Sequence, residues 1–236
     1  MPAEIEERDG KPVAVKYQFS PEMEIRGALT AWDPPRMFVA QQEEGWGDAP
    51  PMATEWNVEA RAGGVCLVRM VHSLFASTDD WDDQLEEVIS GWAGFVSILQ
   101  VYLTHFRGQQ RSAIMQVKAS VASPDAESWE VLTSALGVKG LSVGQRWTTP
   151  AGVPPLSGVM EIVTENPYDA LLMLDKPGPG IAALGAVTYP DGQGVVAMNL
   201  YLYGDQAAAT VARETPRWQA WFQERFPMPT EPSTSE

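Results

Sequence analysis

Residues 79–106 read DDWDDQLEEVISGWAGFVSILQVYLTHF, a carboxylate-rich start followed by an apolar and aromatic run. The large apolar residues recur at alternating spacings of four and three positions, which places them along one side of an α-helix. They are Trp81, Leu85, Val88, Trp92, Phe95, Leu99, Tyr102 and Phe106. The pattern predicts a helix of about 39 Å, whose apolar side needs a partner surface of similar length.

The ends of this helix carry capping signals. Ser77 or Thr78 can accept hydrogen bonds from the free N–H groups of the first turn, and Gly108 follows the last apolar residue. The aspartates lie where the helix dipole favours negative charge. We therefore interpret the carboxylates as helix capping and solvation rather than as a catalytic pair.

The segments ahead of the helix have the composition of β-strands. They read MEIRGALTAWDPPRMFVAQQEE, MATEWNVEARAGG and VCLVRMVHSLF, with many β-branched and aromatic residues and with proline or glycine at the turns. Strands followed by one long helix predict an α+β fold in which an antiparallel sheet grips the helix.

The second half of the chain repeats this order. Three segments correspond in order. The strand–turn–strand segment EIRGALTAWDPPRMFVAQQEE corresponds to PLSGVMEIVTENPYDALLMLD, and the strand GVCLVRMVHSL corresponds to GVVAMNLYLYG. The long helix corresponds to DQAAATVARETPRWQAWFQERF. Gly158 follows Gly27 by 131 positions, and Val195 follows Val65 by 130. Two tandem helix-grip units are therefore predicted.

We place the first unit at residues 1–109, the second at residues 110–228 and a disordered tail at residues 229–236. The second unit is expected to be the more divergent. Pro216 lies inside its last helix and is expected to kink that helix or divide it in two.

The two units differ at their starts. The second opens with SAIMQVKASVASPDAESWEVLTSALG, a strand followed by a helix that Ser123 caps and Gly137 ends, with Pro124 as its first residue. Nothing comparable precedes Ile5, so the first unit is expected to lack an opening strand and helices, or to begin upstream of Met1. The missing strand would expose a sheet edge, and a homodimer through that edge is expected.

The chain resembles the SRPBCC superfamily of START-like helix-grip domains, and within it the branch named after the activator of the heat-shock protein 90 ATPase homologue. The resemblance covers residues 3–108 well and residues 112–227 loosely. It rests on Gly27, Trp32 with Pro34 and Pro35, Arg69, Val71, His72, Ser73, and Gly91 with Trp92. It implies an antiparallel sheet around a long C-terminal helix, with a cavity between them.

The composition of the chain indicates which partners and which cellular compartment to expect. The net charge is −15 and no basic run is present, so nucleic acid and anionic membranes are not expected as partners. No apolar run is long enough to cross a membrane, and the N-terminus lacks a secretory signal, so we expect a cytoplasmic protein. Cys66, the one cysteine, is expected to be a small buried side chain.

Few residues suit catalysis or metal binding. His72 and His105 are the only histidines, and His105 is expected to be solvated. Two histidines and one cysteine predict no zinc site, and no GxSxG motif is present. The glycine-rich KPGPGIAALG lacks the Lys-Ser/Thr pair of a phosphate loop and is interpreted as a turn. We expect no cofactor and no catalytic residue.

A ligand pocket is predicted between sheet and helix, bounded by residues 65–72 and 88–102. Its candidate contacts are Arg69, Met70, His72, Trp92, Phe95, Leu99 and Tyr102. The alternative is that the same apolar side chains simply fill the core.

Three functions remain open on the sequence alone. The first is non-enzymatic binding of a small apolar molecule. The second is a protein-interaction role with a chaperone or another protein, which the resemblance implies. The third is cyclase-like chemistry, for which His72 is the only candidate.

Overall fold

A computed structural model describes residues 3–20, 23–42, 50–75, 82–109, 111–122, 125–163, 166–188 and 192–227. The chain divides into two compact units, residues 1–86 and 87–236. This division falls within the long helix, and the domain boundary at residue 109 stays a prediction. The tail predicted at 229–236, the caps Ser77, Thr78 and Ser123, and Pro124 lie outside the described residues.

The first unit contains one six-stranded antiparallel sheet in which the strands follow one another in chain order. The strands are β1 Ala3–Arg8, β2 Lys11–Ser20, β3 Met23–Asp33, β4 Met37–Gln42, β5 Met52–Ala60 and β6 Cys66–Leu74. A 3₁₀ turn, Ala62–Gly64, joins β5 to β6.

The hairpin of β1 and β2 was not recognised in the sequence. Asp9 and Gly10 join these strands, and both have positive φ, 53° and 72°. A two-residue loop of this kind matches the right-handed twist of the strands that it connects, so Asp-Gly specifies the hairpin. The glutamates of β1 concealed the strand, because its alternation is between charged and apolar residues rather than an apolar run.

The described residues of the second unit form a second six-stranded antiparallel sheet and belong to three helices. The helices are α1 Asp82–His105, which begins before the boundary between the units, α2 Asp125–Leu136 and α3 Ala207–Arg225. The strands are β7 Arg111–Val121, β8 Arg146–Thr148, β9 Ser157–Val163, β10 Asp169–Lys176, β11 Gly180–Thr188 and β12 Gly194–Tyr203. Their spatial order is β7-β12-β11-β10-β9-β8, so the opening strand pairs with the last one.

This architecture confirms the predicted α+β class with two antiparallel sheets and a long helix after each. In the second unit α2 and α3 pack on one face of the sheet. The side chains that fill the interface are nearly inaccessible, among them Trp218, Phe222, Leu132, Leu136, Met198 and Leu200. The space between the sheet and these two helices is therefore filled by the protein's own side chains.

Two of the helices end just before a glycine, as the sequence predicted. Gly137 and Gly108 follow α2 and α1 with φ of +73° and +83°, a conformation that favours glycine. Pro216 does not divide α3, which runs as one helix from Ala207 to Arg225; a kink at Pro216 stays a prediction. Trp218, Trp221 and Phe222 are buried in the core just after the proline, and their packing favours continuation of the helix.

The C-terminal part of α1 packs on the other face of the second sheet. Val101 and Phe106 are buried there with Tyr203, and the rings of Phe106 and Tyr203 stack with centroids 4.5 Å apart. His105 is exposed, as expected, and its Nε2 lies 2.7 Å from Glu161 Oε1 on the sheet. Periodicity gives the apolar side of a helix but not its partner, which is why this packing was not foreseen.

No helix among the described residues is long and apolar enough to cross a membrane.

Gly158, one of the repeat glycines, should be essential for the second sheet. A Cβ at this position would overlap the Met173 carbonyl of the adjacent strand. We therefore expect Gly158→Ala to lower the free energy of unfolding of the second unit by at least about 2 kcal/mol. Chemical denaturation followed by tryptophan fluorescence measures the change.

Gly178→Ala is the matched control, because a Cβ there meets no atom within 4 Å. Gly27→Ala should be intermediate, since its Cβ would lie 3.1 Å from the Ala40 Cβ. Equal stability of the Gly158 and Gly178 variants would contradict the close approach of β9 and β10.

Candidate functional site: the aromatic face of the first sheet

A row of large side chains crosses four strands of the first sheet. Trp32 is paired with Phe38, Phe38 with Trp56, and Trp56 with Met70. The ring centroids of Trp32 and Phe38 are 6.0 Å apart, and those of Phe38 and Trp56 are 6.2 Å apart with planes inclined by only 19°. Such cross-strand pairs stabilise the register and form a continuous apolar surface.

This surface is only partly covered. Trp32 is 41% exposed, and Phe38, Trp56 and Met70 are half-buried. We call it the aromatic face and define it by these residues together with Tyr17, Thr54 and His72, which project from the same side of the sheet. In the second unit, by contrast, the side chains between sheet and helices are almost completely buried.

A polar pair lies beside the aromatic row. Thr54 and His72 face each other on β5 and β6, and Thr54 Oγ1 lies 3.0 Å from His72 Nδ1. Thr54 is buried and His72 half-buried. Burial disfavours the imidazolium and lowers the pKa of His72, so the ring is neutral at neutral pH.

Tyr17 adds a second polar group. Burial raises the pKa of its phenol to about 12, while the nearby Trp56 side chain has a smaller lowering effect. The hydroxyl atom is buried. Because the phenol remains protonated at physiological pH, it can donate a hydrogen bond to an acceptor that displaces the side chains covering it.

The aromatic face thus combines flat apolar rings with a few oriented polar groups. Sites of this composition bind small molecules through shape and stacking, and the polar groups fix orientation. The described residues include no cluster of three histidine, cysteine, aspartate or glutamate side chains able to hold a metal ion.

The predicted ligand contacts are distributed over several places. Met70 and His72 lie together on the aromatic face, but strand alternation directs Arg69, which is exposed, to the opposite side of β6. Trp92 and Phe95 contact each other on α1 with ring centroids 5.6 Å apart.

The remaining two predicted contacts also lie on α1. Leu99 is half-buried. Tyr102 packs against Tyr203 and donates a hydrogen bond to the Gln109 carbonyl at 2.8 Å, so it belongs to the packing of the second unit. A pocket bounded by residues 65–72 and 88–102 would involve both units and stays a prediction.

Cys66 was expected to be buried but is exposed. It pairs with Ala60 at the end of the β5–β6 hairpin, where the flanking Val65 and Leu67 are exposed as well. An apolar stretch of sequence does not show that a strand extends beyond its core.

Five members of the aromatic face were not identified as site residues: Tyr17, Trp32, Phe38, Thr54 and Trp56. Alternation within MFVAQQ and MATEW places Phe38 with Ala40, and Thr54 with Trp56, on common sides of their strands. The register between the strands, which brings them together, has no local sequence signal.

The first unit also has an open hollow of about 370 Å³. Its lining is Ala28, Thr30, Gln41, Gln42, Pro51 and Phe75. It lies outside the segments predicted to bound a cavity. With one aromatic ring and no charged side chain, it offers few groups to hold a ligand.

Comparison with known proteins yields structural matches alone. No family model matches the chain, and neither does any curated protein. The chain resembles several solved structures at low sequence identity. The di-domain ARO/CYC BexL from the BE-7585A biosynthetic pathway is 14% identical with a TM-score of 0.39, covering 95% of this chain and 84% of that one.

The di-domain ARO/CYC StfQ from the steffimycin biosynthetic pathway is 13% identical with a TM-score of 0.35, covering 94% and 81%. DynU16, a putative protein in the dynemicin biosynthetic locus, is 14% identical with a TM-score of 0.33, covering 89% and 82%. Likeness at this level carries no argument about ligand or chemistry.

The pKa of His72 gives a direct test of the site's burial. We expect its ring to titrate below the ordinary value of 6.5, because burial disfavours the charged form. Protonation would then be weaker in the folded than in the unfolded chain, so the side chain contributes stability that is lost as the pH falls below about 6.5.

NMR titration of the histidine ring protons measures this pKa, and His72→Gln assigns the signal. The Gln variant should also lose part of the fall in unfolding free energy between about pH 7.5 and 5.5. A His72 midpoint at or above 6.5 would show that the His72 ring is not buried as described.

Proposed function

We propose that the first unit binds a small, flat, apolar molecule on the aromatic face and does not transform it. The observation that carries this proposal is the row of Trp32, Phe38 and Trp56, in register on adjacent strands and only partly covered. Rings in such a row offer stacking surface to a planar ligand, and burial of that surface would drive binding.

The polar groups narrow the ligand class. Tyr17 is a neutral donor at physiological pH, so the ligand should present a carbonyl or another oxygen acceptor to it. The uncharged Thr54–His72 pair can contact a second polar group. No charged side chain belongs to the aromatic face, which favours an uncharged ligand. A planar aromatic ketone fits all three requirements.

A second candidate is cyclase-like chemistry on such a ligand. It is favoured by two titratable groups with shifted pKa values, Tyr17 and His72, on one apolar face. A neutral imidazole can accept a proton and a phenol can donate one, which is the pair that a cyclisation with loss of water requires.

The chaperone-linked alternative stays a prediction. A partly exposed apolar face can also contact a protein. No described feature selects a chaperone as that partner.

Equilibrium dialysis of the full chain with an uncharged hydroxyanthraquinone tests the binding proposal. We expect saturable binding, about tenfold weaker for Trp56→Ala because the central ring of the row is lost. Tyr17→Phe should weaken binding about fivefold, the effect of one hydrogen bond. Trp56→Phe keeps a ring and should lose less than Trp56→Ala.

Val143→Ala, at an exposed position in the second unit, is the control and should bind as wild type. Phe95→Ala tests the predicted contacts on α1 in the same assay. Circular dichroism melts verify that each variant is folded. Absence of saturable binding, or equal affinity of wild type and Trp56→Ala, would refute the proposal.

Separating binding from chemistry needs a reactive ligand. A linear aryl poly-ketone is incubated with the chain and recovered for mass spectrometry. An unchanged mass and an unchanged chromatographic retention time support binding alone, because cyclisation without loss of water would conserve the mass. Loss of water that is faster than the uncatalysed background and absent in His72→Gln would establish the cyclase candidate instead.

A further inference from the structure

Among the described residues the two sheets have four edge strands, and an unprotected edge invites pairing with another chain. Three of the four carry features that discourage such pairing. β1 has Glu4, Glu6, Glu7 and Arg8, with a register shift between Glu6 and Glu7. β8 has only three residues. β7 carries the exposed Lys118.

The remaining edge strand, β6, carries one exposed basic side chain, Arg69, where β7 has two basic residues, Arg111 and Lys118. It has neither the charge run of β1 nor the short length of β8. Its nine residues include no proline and a single charged side chain, Arg69. It pairs with β5 from Cys66 to Leu74 without a register shift. Val65, Leu67 and Phe75 along this edge are 62%, 48% and 53% exposed. The edge is therefore long, regular and nearly uncharged.

The second unit shows which kind of strand can pair with an edge like that of β6. The counterpart of β6 in the second unit is β12, which pairs with β11 on one side and with β7 on the other. The pairing with β7 is antiparallel and runs from Gly194 to Tyr203. Within the described ranges, β6 pairs with β5 alone. An antiparallel strand of similar length would complete the first sheet in the same way.

We propose that this strand is the β6 of a second copy of the chain, paired about a two-fold axis at Met70. In this register Val68 faces His72 of the other copy and Arg69 faces Val71, so no like charges meet. The strand is self-complementary, as a two-fold interface requires. With a net charge of −15, most of the surface repels a second copy, and the nearly neutral β6 edge is a place where close approach costs little.

Two oppositely charged substitutions at one position test the pairing. Val71→Arg places a cation opposite Arg69 of the other copy and should weaken dimerisation at least about tenfold. Val71→Glu places an anion there and should preserve or strengthen it. Val71→Thr is the uncharged control. Sedimentation equilibrium measures the dissociation constants, and thermal melts verify folding.

The salt dependence provides an independent readout. Raising NaCl from about 0.05 M to about 0.5 M should strengthen the wild-type dimer, because salt screens the repulsion between two acidic chains. A dimer held by attraction between opposite charges would instead weaken.

A cross-link tests the register. In a Cys66→Ser background, Met70→Cys would place two thiols next to each other on the two-fold axis and should give a covalent dimer on mild oxidation. Ser73→Cys in the same background faces Leu67 of the other copy and should cross-link poorly. A monomer at all concentrations, a dimer indifferent to the charge at position 71, or a dimer without cross-linking at position 70 would each overturn the proposal.

Discussion

The register of the antiparallel strands β3 to β6 is the constraint on which the candidate site depends. It brings Trp32, Phe38, Trp56 and Met70 into one row and sets Thr54 opposite His72. Because side chains alternate across a sheet, a shift of one residue in any of these strands would send its contribution to the opposite face. The rings themselves help to fix the register, since cross-strand aromatic pairs stabilise the alignment that creates them.

The two units use the same arrangement of strands and helix differently. In the second unit the space between the sheet and its helices is filled by Trp218, Phe222 and the leucines of α2. The opposite face of that sheet is covered by α1, through Val101 and Phe106. Those side chains make a core whose interior is occupied by the protein itself. The aromatic face of the first sheet remains partly exposed. The repeat therefore separates a structural unit from the unit that we propose binds a ligand.

The sequence predicted features that depend on residues close together in the chain better than features that depend on distant residues. Helical periodicity over residues 79–106 and the glycines at 108 and 137 are local, and they predicted the helices and their ends. The recurrence of Gly27 and Gly158 predicted the tandem units, and both glycines lie where a neighbouring strand approaches closely.

Contacts between distant segments could not be obtained in this way. The packing of Phe106 on Tyr203 links residues far apart in the chain. The placement of Tyr17 near Trp56 likewise depends on three strand pairings, from β2 through β3 and β4 to β5. Met70 and His72 were identified because they share one strand, whereas Arg69 was included from its position in sequence although alternation directs it away.

The most direct test of the account is to record the indole N–H signals of ¹⁵N-labelled protein by NMR while the uncharged hydroxyanthraquinone is added. If the ligand binds the aromatic face, the signals of Trp32 and Trp56, assigned with single Trp→Phe variants, will shift together and saturate, while those of Trp218 and Trp221 in the packed core of the second unit will stay unchanged. Saturable shifts confined to Trp218 and Trp221, or no shift in any indole signal, would contradict the proposal that the first unit is the binding unit.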